Sequence, residues 1–309
     1  MGRSLTSELQ SGLEDIAAAI QALHGDLGRV HQELEDVSGR VRAIESDAAR
    51  AAGIARHAYD EEPANRRRLN ALRASGDYEL AFTEPEPLVS FLVPTYTSYE
   101  TLRDVALPSI LGQTYSNIEV IVVGDSAPPE TEQAIAEIGD PRVRYINRPL
   151  RGPYPEDPAR RWYVIGTSAY NEALAHAKGR WIAGLGDDDA ARPTHVESLL
   201  SSARQNRLEH CYGLQEVHFA EGDPLVLGEF PPALGKWGLQ AAIFHAGLRF
   251  FELELSDAIY EEPNDWSLCR RMLRAGVRFG MVDEVVVDKH ETRRASAERW
   301  REGRVPRVD

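Results

Sequence analysis

The stretch from Leu88 to Asp125 opens with the run LVSFLVP and closes with the run IEVIVVGD, and it decides the fold class. Both runs are continuously apolar over the length of a strand, a pattern typical of parallel strands that are buried on both faces. Between them, Glu100–Gly112 has the spacing of a helix. A buried strand, a helix and a second buried strand form a βαβ unit, so this stretch predicts an α/β domain.

The same alternation continues downstream and predicts a mostly parallel sheet with helices on both faces. The further predicted elements are a helix at Glu130–Ile138, a strand at Val143–Asn147, a helix at Tyr170–Lys178, a strand at Arg180–Leu185, a helix within Tyr260–Gly276 and a strand that ends at His290. In such sheets ligands bind outside the carboxyl ends of the strands. The residues that follow Pro94, Asp125 and Leu185 are therefore candidates for a binding site.

The first sixty residues show a different pattern, in which apolar side chains recur in alternating steps of four and three. They are Leu9, Leu13, Ile16, Ile20, Leu23, Leu27, Val30, Leu34, Val37, Val41 and Ile44. This repeat predicts an α-helical coiled coil over residues 1–60 and self-association of the chain. With Leu13 at position a, four of the six d positions are β-branched, which favours a trimer or a tetramer over a dimer. An amphipathic helix packed on its own domain is the alternative.

The changes in pattern along the chain predict four segments. Residues 1–60 form the coiled coil, 61–87 a linker with a short helix as far as Leu72, 88–295 the α/β domain and 296–309 a C-terminal tail.

Composition excludes several classes of protein. The 309 residues include 35 Lys+Arg against 49 Asp+Glu, a net charge of −14, which argues against a nucleic-acid-binding protein. The two cysteines, Cys211 and Cys269, have no CxxC spacing, which argues against a disulfide scaffold or a Cys-rich zinc site. No apolar run approaches the roughly 18–20 residues of a transmembrane helix, and the N-terminus lacks a signal sequence. We therefore expect a cytoplasmic protein, with peripheral attachment at the inner face of the membrane left open.

Three consecutive carboxylates, Asp187, Asp188 and Asp189, follow the predicted strand at Arg180–Leu185 in the sequence GLGDDDAARP. Adjacent carboxylates repel one another unless a cation neutralises them. Mg²⁺ commonly binds one or two carboxylates together with substrate phosphates. Capping of the following helix is the alternative, but it accounts for only one of the three aspartates. The turn therefore predicts a metal–phosphate site.

Three further residues are candidates because of their positions at element ends. Asp125 ends the second strand and could accept hydrogen bonds from a base or a ribose, with an Asx turn as the alternative. Asp265 lies in the first turn of a predicted helix, where it could act as a general base or simply complement the helix dipole. His290 ends the last strand and is a candidate metal ligand, with a purely structural role as the alternative.

Four segments, taken in order, resemble the family 2 glycosyltransferases of the GT-A fold, a Rossmann-like α/β architecture. The segments are VSFLVPTY, NIEVIVVGDS, YNEALAHAKGRWIAGLGDDD and PNDWSLCRRMLRAGVRFG, and the resemblance extends from Leu88 to His290. It implies a metal-dependent inverting enzyme that moves a sugar from a nucleotide-sugar donor, with a UDP-sugar favoured, to an acceptor hydroxyl in glycan or polysaccharide synthesis. The implied cofactor is Mn²⁺ or Mg²⁺.

The resemblance also implies roles for individual residues. The nucleotide-sugar contacts fall on Pro94, Thr95, Tyr96, Asp125, Arg160 (with Arg161 as the alternative), Asp187 and Asp188. Asp188 falls on the metal-binding carboxylate, His290 on a position that is a metal ligand in some relatives, and Asp265 on the catalytic base. The segment after His290, ETRRASAERW, resembles the mobile segment that closes over the diphosphate.

The sequence departs from the family pattern at two positions. Gly186 stands where the family has the first aspartate of its DxD motif, and Asn264 replaces the more frequent Glu beside the base. These departures keep open a catalytically degenerate scaffold or sugar-nucleotide-binding protein. A nucleotidyltransferase is a further alternative, although PTYTSYET after the first strand lacks the Gly-rich, basic loop that such enzymes use to hold a triphosphate.

Overall fold

A computed structural model describes residues 2–219 and 222–291 of the chain. These residues form two compact units that divide between Arg56 and His57, inside one long helix, α1, which runs from Gly2–Arg73. The helix therefore continues past residue 60 into the segment expected to be a linker, with Pro63 inside it. The predicted C-terminal tail and the segment expected to close over the diphosphate lie outside the described residues, apart from Glu291.

Eight further helices follow among the described residues of the second unit. They are α2 at Leu80–Thr83, α3 over residues 99–111, α4 at Pro129–Ile138, α5 at Pro158–Trp162, α6 at Thr167–His176, α7 at His195–Gln205, α8 at Asp257–Tyr260 and α9 at Asn264–Ala275. The helix predicted at Glu100–Gly112 is α3, whose middle turn, Leu102–Ala106, is a π-helix. Short 3₁₀ turns occupy Leu239–Ala241 and Ala246–Leu248.

Within the described part of the chain, nine strands form one mixed sheet. They are β1 at Val89–Thr95, β2 at Ile118–Gly124, β3 at Val143–Asn147, β4 at Trp181–Gly184, β5 at Ala190–Ala191, β6 at His210–Phe219, β7 at Leu225–Leu227, β8 at Ala242–His245 and β9 at Phe279–Glu291. Their order is β3-β2-β1-β4-β8-β6-β9-β5, with β7 paired to β6. The first four strands are parallel, as predicted, whereas β8 is antiparallel to both of its neighbours.

Alternate residues of the central strands face opposite cores, which gives a three-layer arrangement. Phe91 of β1 belongs to the core beneath α3 and α7, whereas Leu92 belongs to the core beneath α6 and α9. Both side chains are fully buried. Burial on both faces explains why the strand is continuously apolar rather than alternating.

The long strand β9 returns the end of the described chain to the acidic turn. It pairs with β6 in parallel and with β5 in antiparallel orientation, matching Asp288 to Ala190. This pairing places His290 beside the aspartates that follow β4, although about a hundred residues separate them in sequence.

The last turn of α1 is held by a buried ion pair within the second unit. Glu209 is fully buried, and its carboxylate accepts hydrogen bonds from Arg73 Nε and Nη2, both at 2.7 Å, and from the Tyr78 hydroxyl at 2.8 Å. These hydrogen bonds outweigh the effect of burial, so the pKa of Glu209 is lowered. The pair fixes residues 57–73 to the α/β domain.

The predicted absence of a disulfide agrees with the structure, because Cys211 and Cys269 are both free and buried. None of the helices formed by residues 2–219 and 222–291 has both the length and the apolar character needed to cross a bilayer.

Candidate active site

The carboxyl ends of β1 and β4 are joined by a hydrogen bond between two predicted site residues. Thr95 Oγ1 donates to Asp187 Oδ2 at 2.7 Å. Burial raises the pKa of Asp187 to about 6, against the hydrogen bonds from Thr95, Ser98 and the Tyr96 backbone. Asp187, the first of the three aspartates, therefore accepts hydrogen bonds from the chain itself, and these bonds connect it to the end of β1.

The turn that carries Asp188 and Asp189 is tightly packed around Gly186. A Cβ atom at position 186 would lie 2.8 Å from Asp189 Oδ2 and 3.1 Å from Asp188 Oδ1. Asp189 is buried, its Oδ1 accepts a hydrogen bond from the His290 backbone N–H at 3.0 Å, and burial raises its pKa to about 7, partly offset by Lys289. Glycine at 186 thus gives both carboxylates room to lie against the backbone, which is a structural reason for the departure from the family motif.

The ring of His290 lies beside the Asp188 backbone. His290 Nδ1 lies 3.1 Å from the Asp188 carbonyl oxygen. A carbonyl oxygen only accepts hydrogen bonds, so Nδ1 must carry the proton, which leaves the lone pair of Nε2 directed away. Metal-ligating histidines are usually oriented by such a hydrogen bond.

The donor set at this turn fits a hard divalent cation. Within the described part of the chain, the Asp188 carboxylate makes no hydrogen bond or ion pair, and the ring of His290 lies against the Asp188 backbone carbonyl. Two protein ligands leave the remaining positions to phosphate oxygens and water, as Mg²⁺ sites commonly do. A separate cluster of Glu216, His218 and Asp288 does not offer the same opportunity, because Arg192 already pairs with both of its carboxylates.

Asp125, at the end of β2, is buried and fully bonded by a segment that sequence reasoning missed. Its carboxylate accepts hydrogen bonds from Arg148 Nη1 at 2.7 Å, the Tyr154 hydroxyl at 2.6 Å and the Gly152 N–H at 3.2 Å. The Arg151 guanidinium lies 3.8 Å from the centre of the Tyr96 ring. A nucleobase that hydrogen-bonds to Asp125 must therefore share this carboxylate with Arg148 and Tyr154.

The structure places Arg160 and Arg161 apart from this cluster. Arg160 is exposed on α5, and Arg161 donates to the carbonyl oxygens of Pro155 and Glu156. The basic side chains that meet Asp125 and Tyr96 are instead Arg148 and Arg151. A sequence signal existed for Arg148, because it directly follows β3 at the same edge of the sheet.

Asp265 lies in the first turn of α9, and the neighbouring Asn264 holds this turn in place. Asn264 Nδ2 donates to Thr167 Oγ1 at 2.8 Å, and Asn264 Oδ1 accepts from the Asp265 N–H at 2.8 Å. The Asp265 carboxylate accepts one hydrogen bond from the Trp266 N–H at 2.7 Å. Burial raises the pKa of Asp265, whereas Lys289 and the backbone N–H lower it.

Two cavities meet at Asp265. The smaller, of about 170 Å³, is lined by Pro94 and Gly186 at the carboxyl ends of β1 and β4. The larger, of about 280 Å³, opens on the other side, against the segment 225–240. Both are also lined by Asn264 and Asp265, so Asp265 belongs to the lining of both cavities.

The larger cavity combines aromatic and cationic side chains. Trp162, Trp237 and Trp266 line it together with Lys236 and Lys289. Among the aromatic residues of the segment between Cys211 and Phe251, Trp237 reaches this cavity, while the buried rings of Phe244 and Phe251 belong to the core. Aromatic faces and a few polar groups are the usual lining of a small-molecule site.

A mixed α/β sheet with an acidic turn after its fourth strand defines the GT-A class of fold. Solved structures agree: the chain aligns with S. aureus TarS 1–349 in complex with UDP-GlcNAc at a TM-score of 0.55 and 14% identity, covering 66% of this chain and 59% of that one. It also aligns with the mannosyltransferase PcManGT from Pyrobaculum calidifontis, in complex with GDP-Man and Mn²⁺, at a TM-score of 0.50 and 15% identity. This alignment covers 81% of this chain and 71% of that one. The model of glycosyl transferase family 2 matches residues 90–154 and 165–270. The chain belongs to this family.

Curated relatives share shorter segments. The chain is 31% identical over 131 residues to the Escherichia coli UDP-Glc:alpha-D-GlcNAc-diphosphoundecaprenol beta-1,3-glucosyltransferase WfgD, which is 42% of this chain and 46% of that protein. It is 36% identical over 118 residues to the succinoglycan biosynthesis protein ExoO of Rhizobium meliloti (strain 1021). These residues are 38% of this chain and 30% of that protein. The chain is 26% identical to E. coli WfaP, whose name gives the same reaction as that of WfgD. This match covers 62% of this chain and 72% of that protein. The chain thus spans less than half of the first two relatives.

Proposed function

We propose that the protein is a glycosyltransferase that moves a sugar from a nucleotide-sugar donor to an acceptor hydroxyl in the synthesis of a glycan or polysaccharide. The observation that carries the proposal is that Asp265 lines both cavities. A transferase needs two substrate compartments and one base between them. A scaffold has no need of this arrangement.

The smaller cavity is the proposed compartment of the donor sugar, because Pro94 and Gly186 connect it to the nucleotide side of the sheet. The nucleobase of the donor would lie near Tyr96 and Asp125. A UDP-sugar is favoured because the names of WfgD and WfaP specify UDP-Glc. Asp188 and His290 Nε2 would hold Mn²⁺ or Mg²⁺, which as a Lewis acid neutralises negative charge on the leaving diphosphate.

The larger cavity is the proposed acceptor compartment. Trp162, Trp237 and Trp266 line this cavity, and aromatic side chains suit the C–H faces of a sugar ring. Lys236 adds a positive charge that suits an anionic group on the acceptor, such as the diphosphate of the lipid-linked acceptors in the names of WfgD and WfaP.

The reaction that fits this arrangement is a single displacement. The acceptor oxygen attacks the anomeric carbon of the donor sugar, the bond from that carbon to the diphosphate oxygen breaks, and the hydroxyl proton moves to the Asp265 carboxylate. Attack from the side opposite the leaving group inverts the anomeric centre. No covalent sugar–enzyme intermediate is needed, so Asp265 is sufficient as the acidic residue beside the sugar.

The test begins with the full-length protein, Mn²⁺ or Mg²⁺, and a panel of UDP-Glc, UDP-GlcNAc and GDP-Man, followed by measurement of released nucleoside diphosphate. Asp265→Asn should retain donor binding in calorimetry and lower the rate of transfer by about 10²–10⁴-fold, the usual contribution of a general base. Asp188→Ala should lose the cation-dependent part of donor affinity. Asp77→Asn, at an exposed aspartate outside the site, is the matched control.

The possible outcomes separate the candidate functions. Transfer by Asp265→Asn at the parental rate would show that Asp265 is not the base. Tight donor binding without turnover on any acceptor would favour a sugar-nucleotide-binding protein. Consumption of a nucleoside triphosphate with release of pyrophosphate would favour a nucleotidyltransferase.

A further inference from the structure

The first unit of the chain exposes a continuous apolar stripe along α1. Ten large apolar side chains on this helix are between 46% and 66% exposed. They are Leu13, Ile16, Ile20, Leu23, Leu27, Val30, Leu34, Val37, Val41 and Ile44. They occupy successive a and d positions of one heptad register, so all of them lie on one face of the helix. A stripe of this length is far more apolar surface than isolated exposed side chains account for.

We infer that this stripe is the seam of a parallel coiled coil formed by three or four copies of this chain. The inference is independent of the proposed catalytic function, since it concerns residues 13–44 alone. A second copy is the occupant that the pattern specifies, because a 3.5-residue apolar repeat is complementary to another helix with the same repeat.

The charges beside the stripe specify the parallel orientation. In a parallel coil, each g position faces the e position of the following heptad on the neighbouring chain. This pairs Arg40 with Glu45. The other pairs contain no two charges of the same sign, and they are Ala19 with His24, Asp26 with His31, Glu33 with Ser38 and Asp47 with Ala52. In an antiparallel coil g faces g, and the registers with the fullest overlap would oppose Asp26 to another Asp26 or to Glu33. Like charges in contact disfavour that arrangement.

The side chains in the stripe specify the number of chains. Leucine occupies three of the five a positions from Leu13 to Val41, whereas Ile16, Val30, Val37 and Ile44 place β-branched side chains at d. Leucine at a combined with β-branched residues at d shifts the preference of a parallel coil from two strands to three or four. Because every chain enters its second unit from the same end of such a coil, several candidate active sites would be brought together on one assembly.

Light scattering on the full-length protein tests the assembly. The expected mass is three or four times the 34.4 kDa of the chain. Val30→Asp places a charge in the seam at d and should reduce the mass to that of one chain, whereas Gln32→Asp, at the outward f position, should leave the assembly intact. Circular dichroism and donor binding by Val30→Asp show whether the second unit is still folded. A monomeric or dimeric parent protein would overturn the inference, as would an unchanged mass for folded Val30→Asp.

Cysteine cross-linking tests the orientation. In a parallel coil, Val30 of one chain lies beside Val30 of the next, so Val30→Cys chains should cross-link to one another with a short thiol reagent. Gln32→Cys should not, and the buried native Cys211 and Cys269 are poorly placed to compete. Cross-linking of Val30→Cys chains to Ile20→Cys or Leu27→Cys chains, without cross-linking between two Val30→Cys chains, would indicate an antiparallel coil and overturn the inference.

Discussion

The packing around Gly186 predicts that any side chain at this position weakens the donor site. In Gly186→Ala the new Cβ would lie 2.8 Å from Asp189 Oδ2, closer than van der Waals contact, so the Asp189 carboxylate must move. Asp189 is buried and bonded to the His290 N–H, and this strand contact also keeps His290 beside Asp188. Movement of Asp189 therefore disturbs both proposed metal ligands.

The magnitude follows from the hydrogen bond that is strained. A hydrogen bond to a charged group contributes about 1.5–3 kcal/mol, so its loss should weaken cation-dependent donor binding by roughly 10- to 100-fold. Gly186→Asp supplies the acidic residue that the family has at this position, and yet it should bind no better than Gly186→Ala because the same Cβ is present.

Calorimetric titration of a UDP-sugar in the presence and absence of Mn²⁺ measures this effect directly. Gly76→Ala is the control, because a Cβ at position 76 would meet open space. Parental affinity in Gly186→Ala would refute the steric argument. Tighter Mn²⁺-dependent binding by Gly186→Asp would show that the missing aspartate, not the packing of the turn, limits the site.

Three further predictions concern stability, pH and the nucleotide. Arg73→Met leaves the buried Glu209 carboxylate without its bidentate partner, although Tyr78 and the Arg278 N–H still donate to it, and should lower the free energy of unfolding in urea by about 1.5–3 kcal/mol near pH 7. Because the pKa of Glu209 is lowered in the folded protein, this pair stabilises the fold above the ordinary glutamate pKa, and the difference between variant and parent should shrink as pH falls through the lowered value. A constant difference across that range would contradict the ion-pair explanation. Burial raises the pKa of Asp265, so the acid limb of the kcat/KM profile should lie above the ordinary range of an aspartate and disappear in Asp265→Asn, whose residual kcat/KM should be independent of pH over that range. Tyr96→Ala should weaken nucleoside diphosphate binding by about 1–3 kcal/mol in calorimetry if the base stacks on this ring, whereas Tyr96→Phe should bind as the parent does; equal affinity in all three proteins would place the base elsewhere.

Local periodicity in the sequence was enough to determine the main elements. The apolar runs around Phe91 and Ile121 predicted parallel strands, because burial on both faces requires apolar residues at every position. The heptad repeat predicted the helix of the first unit for the same kind of reason, since side-chain direction along a helix depends only on residue spacing. The rule that ligands bind beyond the carboxyl ends of parallel strands then selected Asp125 and Asp188 as candidates.

Only the tertiary structure decided which side chains meet at the site. His290 reaches Asp188 because β9 runs alongside β6 and β5, a pairing that no local pattern encodes. Arg148 bonds Asp125 because the chain after β3 folds back over the end of β2. Sequence spacing specifies what a residue contacts within its own helix or strand. Contacts between distant segments depend instead on how whole elements pack. The residues of this site meet through contacts between distant segments.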